Sequence, residues 1–421
     1  MDNEKIKADL IIKNAAQLIT CEGSSGDGLG LIENGWIAVS GERIAACGTE
    51  ADVRNAVDFT GAVVIDSKGK TVVPGFVDCH THLVFGGSRI EEYVAKLTID
   101  DSEIIRRMGV KTGLAASMEM TAHISEEDLF QASASKIRRM MCCGTTTVES
   151  KSGYGLNLTV ELKQLRVNKR LQKELPIDLK STFLGAHGWP VDMPKQKYMD
   201  LLINCMIPAV GGHKLAEFCD VWCDDGYYTA KESEMILKAG RAAGLEPRIH
   251  TDAYSYIGGS DLAADIKMMS ADHLNYVPLS AVKKLAAAKV PGVLLPGTDF
   301  AVNHPKPFNP RPMIEEGMVI ALATNCNPGV WVESMQFIMM LACRRHRMTP
   351  ADALKAATAG GAAALGLSGE VGSLKAGKLA DIQVWDTPVY EDAVYKLGGN
   401  QVDKVIKRGK IVVENGKFKE E

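Results

Sequence analysis

The segment TVVPGFVDCHTH, residues 71–82, decides the fold. It is an apolar, β-branched run that ends in two histidines separated by one residue. Read as a strand, it puts His80 and His82 on the same face, because side chains on a strand alternate with period two. Seven further short runs follow: TTTVESKSG (145–153), STFLGAHG (181–188), CDVWCDDG (219–226), PRIHTDA (247–253), MMSADHL (268–274), PGVLLPG (291–297) and VIALATNCNPG (319–329). Amphipathic segments with helix-start signals lie between them, including Ser125 with Asp128 and Thr229 with Glu232, while Gly144 and Gly244 sit where helices should stop. Eight strands alternating with helices predict an α/β fold, a (β/α)₈ TIM-type barrel over residues 67–370. An open doubly wound sheet is the rival, but no phosphate-binding glycine fingerprint follows the first strand.

Both flanks have a different texture. Residues 1–66 and 371–421 carry short β-rich segments such as ADLIIKN, GWIAVSGERIAACG, ADIQVWD and DKVIKRGKIVVENGK. Each flank is too short to bury a core alone, so the expectation is one small β-sandwich domain assembled from both termini. Net charge is −4, from 48 basic and 52 acidic residues, which gives no general attraction to nucleic acid or an anionic membrane. No apolar run approaches the ~18 residues that span a bilayer. The charged start MDNEKIKADL has no signal core, and the ten scattered cysteines suit reduced thiols, so a cytoplasmic setting is expected. Cys219 and Cys223, four apart on a strand, read as core packing.

A barrel places its chemistry at the carboxyl ends of the strands. Those ends carry His80 and His82, Glu149 and Lys151, His187, Asp224 and Asp225, His250, His273, and Asn325. Five of the nine histidines therefore fall on strand tips. His80 and His82 can share one ion, and His250 supplies a third imidazole from across the barrel, the ligand number of a catalytic zinc site. A bound divalent ion lowers the pKa of its water towards ~7, and such water can attack a carbonyl or amidine carbon. His273 is either a further ligand or an acid beside the ion. Glu149 and Lys151 read best as an internal ion pair bracing the barrel.

The segments VVPGFVDCHTHLVFGGSR, GTTTVESKSGYGL, STFLGAH, SADHL, LLPGT, NPG and GSLKAGKLADIQVWD resemble the amidohydrolase superfamily and, within it, the imidazolonepropionase family. The resemblance covers nearly the whole chain. It implies hydrolytic opening of a five-membered nitrogen ring that bears a carboxylate side chain. It further implies one divalent metal ion, zinc or iron, on His80, His82 and His250, with the residue at 325 as ligand and proton carrier. Arg89, Tyr154 and His187 would hold the substrate, with Asn327 and Ala253 at the pocket, and the protein would be a homo-oligomer, a dimer. The chemistry agrees for Arg89, whose guanidinium can grip a propionate tail bidentately.

Two departures stand out. The family's eighth-strand aspartate is Asn325 here, which can ligate weakly but cannot titrate, and the acid or amide expected after the fifth strand is Ala253. The alternatives are a relative acting on another ring (a hydantoin, thiohydantoin or amino-substituted ring), an Asp-to-Asn substituted form that traps substrate, or a binding protein without catalysis.

Overall fold

A computed structural model of the chain describes residues 5–24 and 27–420. Eight parallel strands form the barrel: β1 (Phe76–Asp78), β2 (Thr145–Lys151), β3 (Asp178–Ala186), β4 (Phe218–Cys223), β5 (Ile249–Thr251), β6 (Ala271–His273), β7 (Gly292–Leu294) and β8 (Ile320–Leu322). They pair in chain order from β1 to β8, and each arises from one of the eight runs. Beyond the last paired residues the ring is closed at the tips. The Thr324 hydroxyl and N–H both donate to the Asp78 carboxylate, Asn325 N–H donates to His80 O at 3.0 Å, and His82 N–H donates to Cys326 O at 2.9 Å.

The start of the barrel differs from expectation. Residues Thr71–Pro74 belong to the terminal sheet, pairing with Leu10–Ile19 and Ile382–Trp385, and only Phe76–Asp78 enters the barrel. The chain changes sheets at Gly75, whose N–H donates to Asp381 O while the Phe76 N–H donates to Gly144 O. A side chain at Gly75 would collide with Thr146, at 2.2 Å. An uninterrupted apolar run thus serves two sheets, so the junction lies at Gly75 rather than at residue 67.

Among the described residues the terminal sheet has nine strands and takes them from both ends of the chain. Its own core includes Leu10, Ile12, Leu18, Ile37, Ile382 and Ile406. It meets the barrel through Trp385 against Phe76, at 5.9 Å between rings, and through an ionic cluster. There Lys407 binds Asp381 at 2.5 Å and Asp178 at 2.7 Å, and Arg408 binds Asp178 at 2.8 Å.

The helix signals hold in detail. Thr229 and Glu232 form a reciprocal capping box on Ala230–Ala242. Ser125 caps Glu126–Cys142, and its hydroxyl also binds Asp128. Gly144 has φ +95°, and a Cβ there would strike the Gln383 amide at 1.9 Å, so glycine is required both for the turn and for the sheet-to-barrel contact. All ten cysteines are free, and Cys219 and Cys223 are buried in the core. No helix is long and apolar enough to cross a membrane among the described residues.

Candidate active site

Two histidines are clamped from behind. His80 Nδ1 lies 2.6 Å from Asp272 Oδ2, and His250 Nδ1 lies 3.0 Å from Asp220 Oδ2. A carboxylate at Nδ1 fixes the tautomer, so Nε2 of each ring is the lone-pair nitrogen. The two carboxylates belong to a fully buried charge cluster. Lys151 Nζ binds Glu149 at 2.8 Å and Asp220 at 2.9 Å, while Arg248 binds Asp272 at 3.1 Å. Burial alone would push the Asp220 carboxyl up, but His250 and Lys151 override it and hold it well below the usual carboxylate range. Asp272 is likewise lowered against burial, by Arg248 and Lys151. Lys151 and Glu149 are thus an internal ion pair, as expected, that also reaches the metal-facing histidines. Asp220 and Asp272 were not expected as site residues. Their signal was a charge inside otherwise apolar strands, FCDVWC and SADH. The acids expected at the fourth tip do something else: Asp224 accepts from Tyr254 N–H and the Ser255 hydroxyl, and Asp225 is exposed.

The imidazoles converge in front of this cluster. His82 Nε2 stands 3.4 Å from His250 Nε2. Two nitrogens each about 2.1 Å from a tetrahedral ion lie about 3.4 Å apart, so this pair has the spacing of ligands. His80 Nε2 is buried and has no hydrogen-bond partner among the described residues. The ligand nitrogens of His80, His250 and His273 lie within 4.8 Å of one another, so His273, and not the expected His82, is the third member of that group. Burial pushes His80 and His82 well below the ordinary imidazole range and His273 down to about 3, so these rings are neutral donors. Asn325 adds an amide whose Nδ2 donates to the Thr298 hydroxyl at 2.8 Å. Its Oδ1 is buried without a hydrogen-bond partner among the described residues. This donor set fits a divalent ion.

A cavity of about 680 Å³ opens above the histidines. Arg89, Tyr154, His187, Asn325 and Asn327 line it, together with Trp222 and Tyr254. Arg89 Nε donates to Glu92 at 2.7 Å, and its Nη2 end packs against Gly329. The Tyr154 loop is held from beneath by Glu161, which accepts from the backbone N–H groups of Gly153, Gly155 and Leu156 at 2.7–2.9 Å. His187 Nδ1 donates to Gly153 O at 3.1 Å, and the ring stacks on His82 with centroids 4.9 Å apart. Burial brings His187 down to about 3.

Two expected substrate contacts look different in place. The Asn327 amide is spent on its own loop, donating to Asn325 O and accepting from Gly329 and Val330. Ala253 is buried outside the cavity lining, its carbonyl accepting from His304 at 3.0 Å, and Tyr254 takes the place at the wall. A methyl side chain cannot span the gap that an acid or amide would.

The fold is shared with solved structures. An adenosine deaminase from Xanthomonas campestris with bound zinc matches at TM-score 0.73 and 18% identity, over 99% of this chain and 96% of that one. An atrazine chlorohydrolase from Arthrobacter aurescens complexed with zinc matches at 0.68 and 15%, over 97% and 96%. Sequence similarity goes much further. The imidazolonepropionase of Alkaliphilus metalliredigens is 42% identical over 97% of this chain and 99% of its own length, and that of Geobacillus kaustophilus is 42% identical over the same shares. The chain belongs to the imidazolonepropionase family. Residues 225–412 also match the broader amidohydrolase family. As an imidazolonepropionase relative it is a hydrolase, and its histidine cluster gives it the means to hold a divalent ion.

Proposed function

We propose that this protein hydrolytically opens the ring of 4-imidazolone-5-propionate, the cyclic amide-amidine that the family name denotes, with release of an open-chain formimino product. The observation that carries the reading is the placement of Arg89, a fixed cation, on the wall of the same cavity as the histidine cluster. A ring joined to a propionate tail needs those two features at once.

A divalent ion on His80, His82 and His250, with Asn325 as a weak further donor, would supply Lewis-acid activation of water. The chain's own residues do the rest. Asp272 and Asp220 orient His80 and His250 by holding their Nδ1–H groups. Arg89 grips the carboxylate, backed by Glu92, and the Tyr154 hydroxyl donates to the same end of the substrate. His273 takes and returns the proton that Asn325, an amide, cannot carry. The same reading extends to zinc or iron as the ion, to a homodimer and to a cytoplasmic setting that keeps the ten thiols reduced.

A second reading, a related ring such as a hydantoin, thiohydantoin or amino-substituted ring, draws on the two missing side chains at 325 and 253. Turnover assays of metal-loaded protein with imidazolonepropionate and with these rings separate the two. Ring opening of imidazolonepropionate supports the first reading, and turnover of another ring alone supports the second.

A further inference from the structure

One buried cation has no part in the site described above. Lys136 lies on the helix Glu126–Cys142 with only 1% of its surface exposed. The buried Lys151 and Lys407 are each bound to carboxylates. Lys136 is not. Its Nζ stands 3.7 Å from the centre of the Phe85 ring and 5.3 Å from that of Trp331, and it makes no hydrogen bond or ion pair among the described residues. The two rings meet edge to face, with centroids 5.0 Å apart at 89°. Taking an ammonium out of water is costly, and here aromatic ring faces supply the compensating attraction.

This cage joins three loops at the cavity. Phe85 precedes Arg89 by four residues on the loop after β1. Its ring also meets that of Tyr154, on the loop after β2, at 6.4 Å and 81°. Trp331 belongs to the loop after β8, where Gly329 packs against the Arg89 guanidinium and Asn327 pairs with Val330 through backbone hydrogen bonds. Arg89 and Tyr154 are therefore each one ring or one loop away from the same cation.

We infer that Lys136 is a positioning residue for the carboxylate end of the substrate: its cation holds Phe85 and Trp331, and through them fixes the loops that carry Arg89 and Tyr154. The role assigned to those two residues rests on the ring-hydrolase reading above. The hold depends on charge. Burial pushes Lys136 down to about 8. The titratable groups that act on it are Cys326, a thiol that burial pushes up to about 12, and Glu333 with Arg139, which offset each other in a bidentate pair at 2.6 and 2.7 Å. The cation is present at lower pH and is lost as pH rises through about 8, and the ring faces attract a neutral amine far less.

The test compares metal-loaded wild type, Lys136→Arg and Lys136→Met from about pH 6.5 to 9.5. Arginine keeps a cation throughout and methionine never has one. One reading is calorimetric affinity for 3-cyclopentylpropionate, whose own charge is constant over this range. The other is hydrogen exchange in residues 85–89 and 327–332, corrected for its intrinsic pH dependence. Other groups that titrate do so in all three proteins and cancel in the ratios. Affinity should be about tenfold weaker in Lys136→Met than in Lys136→Arg at every pH, and wild type should pass from the arginine level to the methionine level as pH rises. Exchange protection should follow the same course. Either variant alone is a sufficient reference if the other fails to fold. A wild-type profile that stays parallel to both variants overturns the inference, as does Lys136→Met with the affinity and protection of Lys136→Arg. Wild type that binds the carboxylate no better than its neutral amide refutes the carboxylate role of Arg89, and the exchange profile then decides whether Lys136 positions the loops.

Discussion

The backbone N–H of Asn325 donates to the carbonyl oxygen of His80 at 3.0 Å, so the last barrel strand is fastened to the first at the metal-facing histidine itself. The position is therefore rigidly placed, with φ +50° and its Oδ1 buried and unpaired among the described residues. What it lacks is a titratable group. Asn325→Asp should enter the same backbone geometry and supply one, and turnover should rise by roughly 10²–10⁴-fold, the usual contribution of a general base. Steady-state kinetics at equal metal loading decides this; unchanged turnover would mean that His273 alone suffices.

Arg89 faces the cavity with its Nε tied to Glu92. Arg89→Lys keeps the charge but loses the planar fork, so KM for a carboxylate substrate should rise about tenfold or more while kcat changes little. A drop in kcat with constant KM would place Arg89 at the reacting ring instead.

Asp220→Asn removes the carboxylate behind His250 and leaves Lys151 with Glu149 as its nearest partner. Metal affinity, read by chelator competition, should fall about 10–100-fold. A variant that binds metal normally and loses only thermal stability would reduce Asp220 to a bracing role.

The barrel–sheet junction predicts acid sensitivity. Burial would raise the Asp178 carboxyl, yet Lys407 and Arg408 hold it below the usual range. A depressed carboxyl binds fewer protons in the folded than in the unfolded chain, so its stabilisation is present above the unfolded value of ~3.9 and is lost as pH falls through the folded one. Asp381 shares Lys407 but is raised by burial, so its contribution runs the other way. Asp178→Asn should therefore lower the thermal midpoint at pH 7 and flatten its decline between about pH 5 and 2. A parallel downward shift at every pH would contradict the linkage.

How much of this could be read in the sequence depended on local pattern. His80 and His82 are two apart, and His250 and His273 end short apolar runs, so the barrel and its histidine tips were legible from period and position. The division of residues 71–82 at Gly75 was not, because an apolar run looks the same whether it serves one sheet or two. Asp220 was hidden by the more conspicuous Asp224-Asp225 at the strand end, although it is Asp220 that bonds to His250. Ala253 was expected at the pocket by resemblance, and a residue with so short a side chain has no reach of its own to keep it there. Trp222 looked like one more apolar strand residue; that its indole nitrogen has no partner among the described residues is visible only once neighbours are in place.

On the proposed reading, the histidine cluster and the Arg89 wall form one hydrolytic site for a carboxylate-bearing imidazolone. The most direct measurement is the ring opening of 4-imidazolone-5-propionate, followed by loss of its ultraviolet absorbance, with protein whose metal content has been quantified. The expected result is metal-dependent turnover that is abolished by chelator and restored by zinc or iron. Protein carrying one equivalent of metal that leaves the imidazolone intact, both as it stands and as Asn325→Asp, would contradict it.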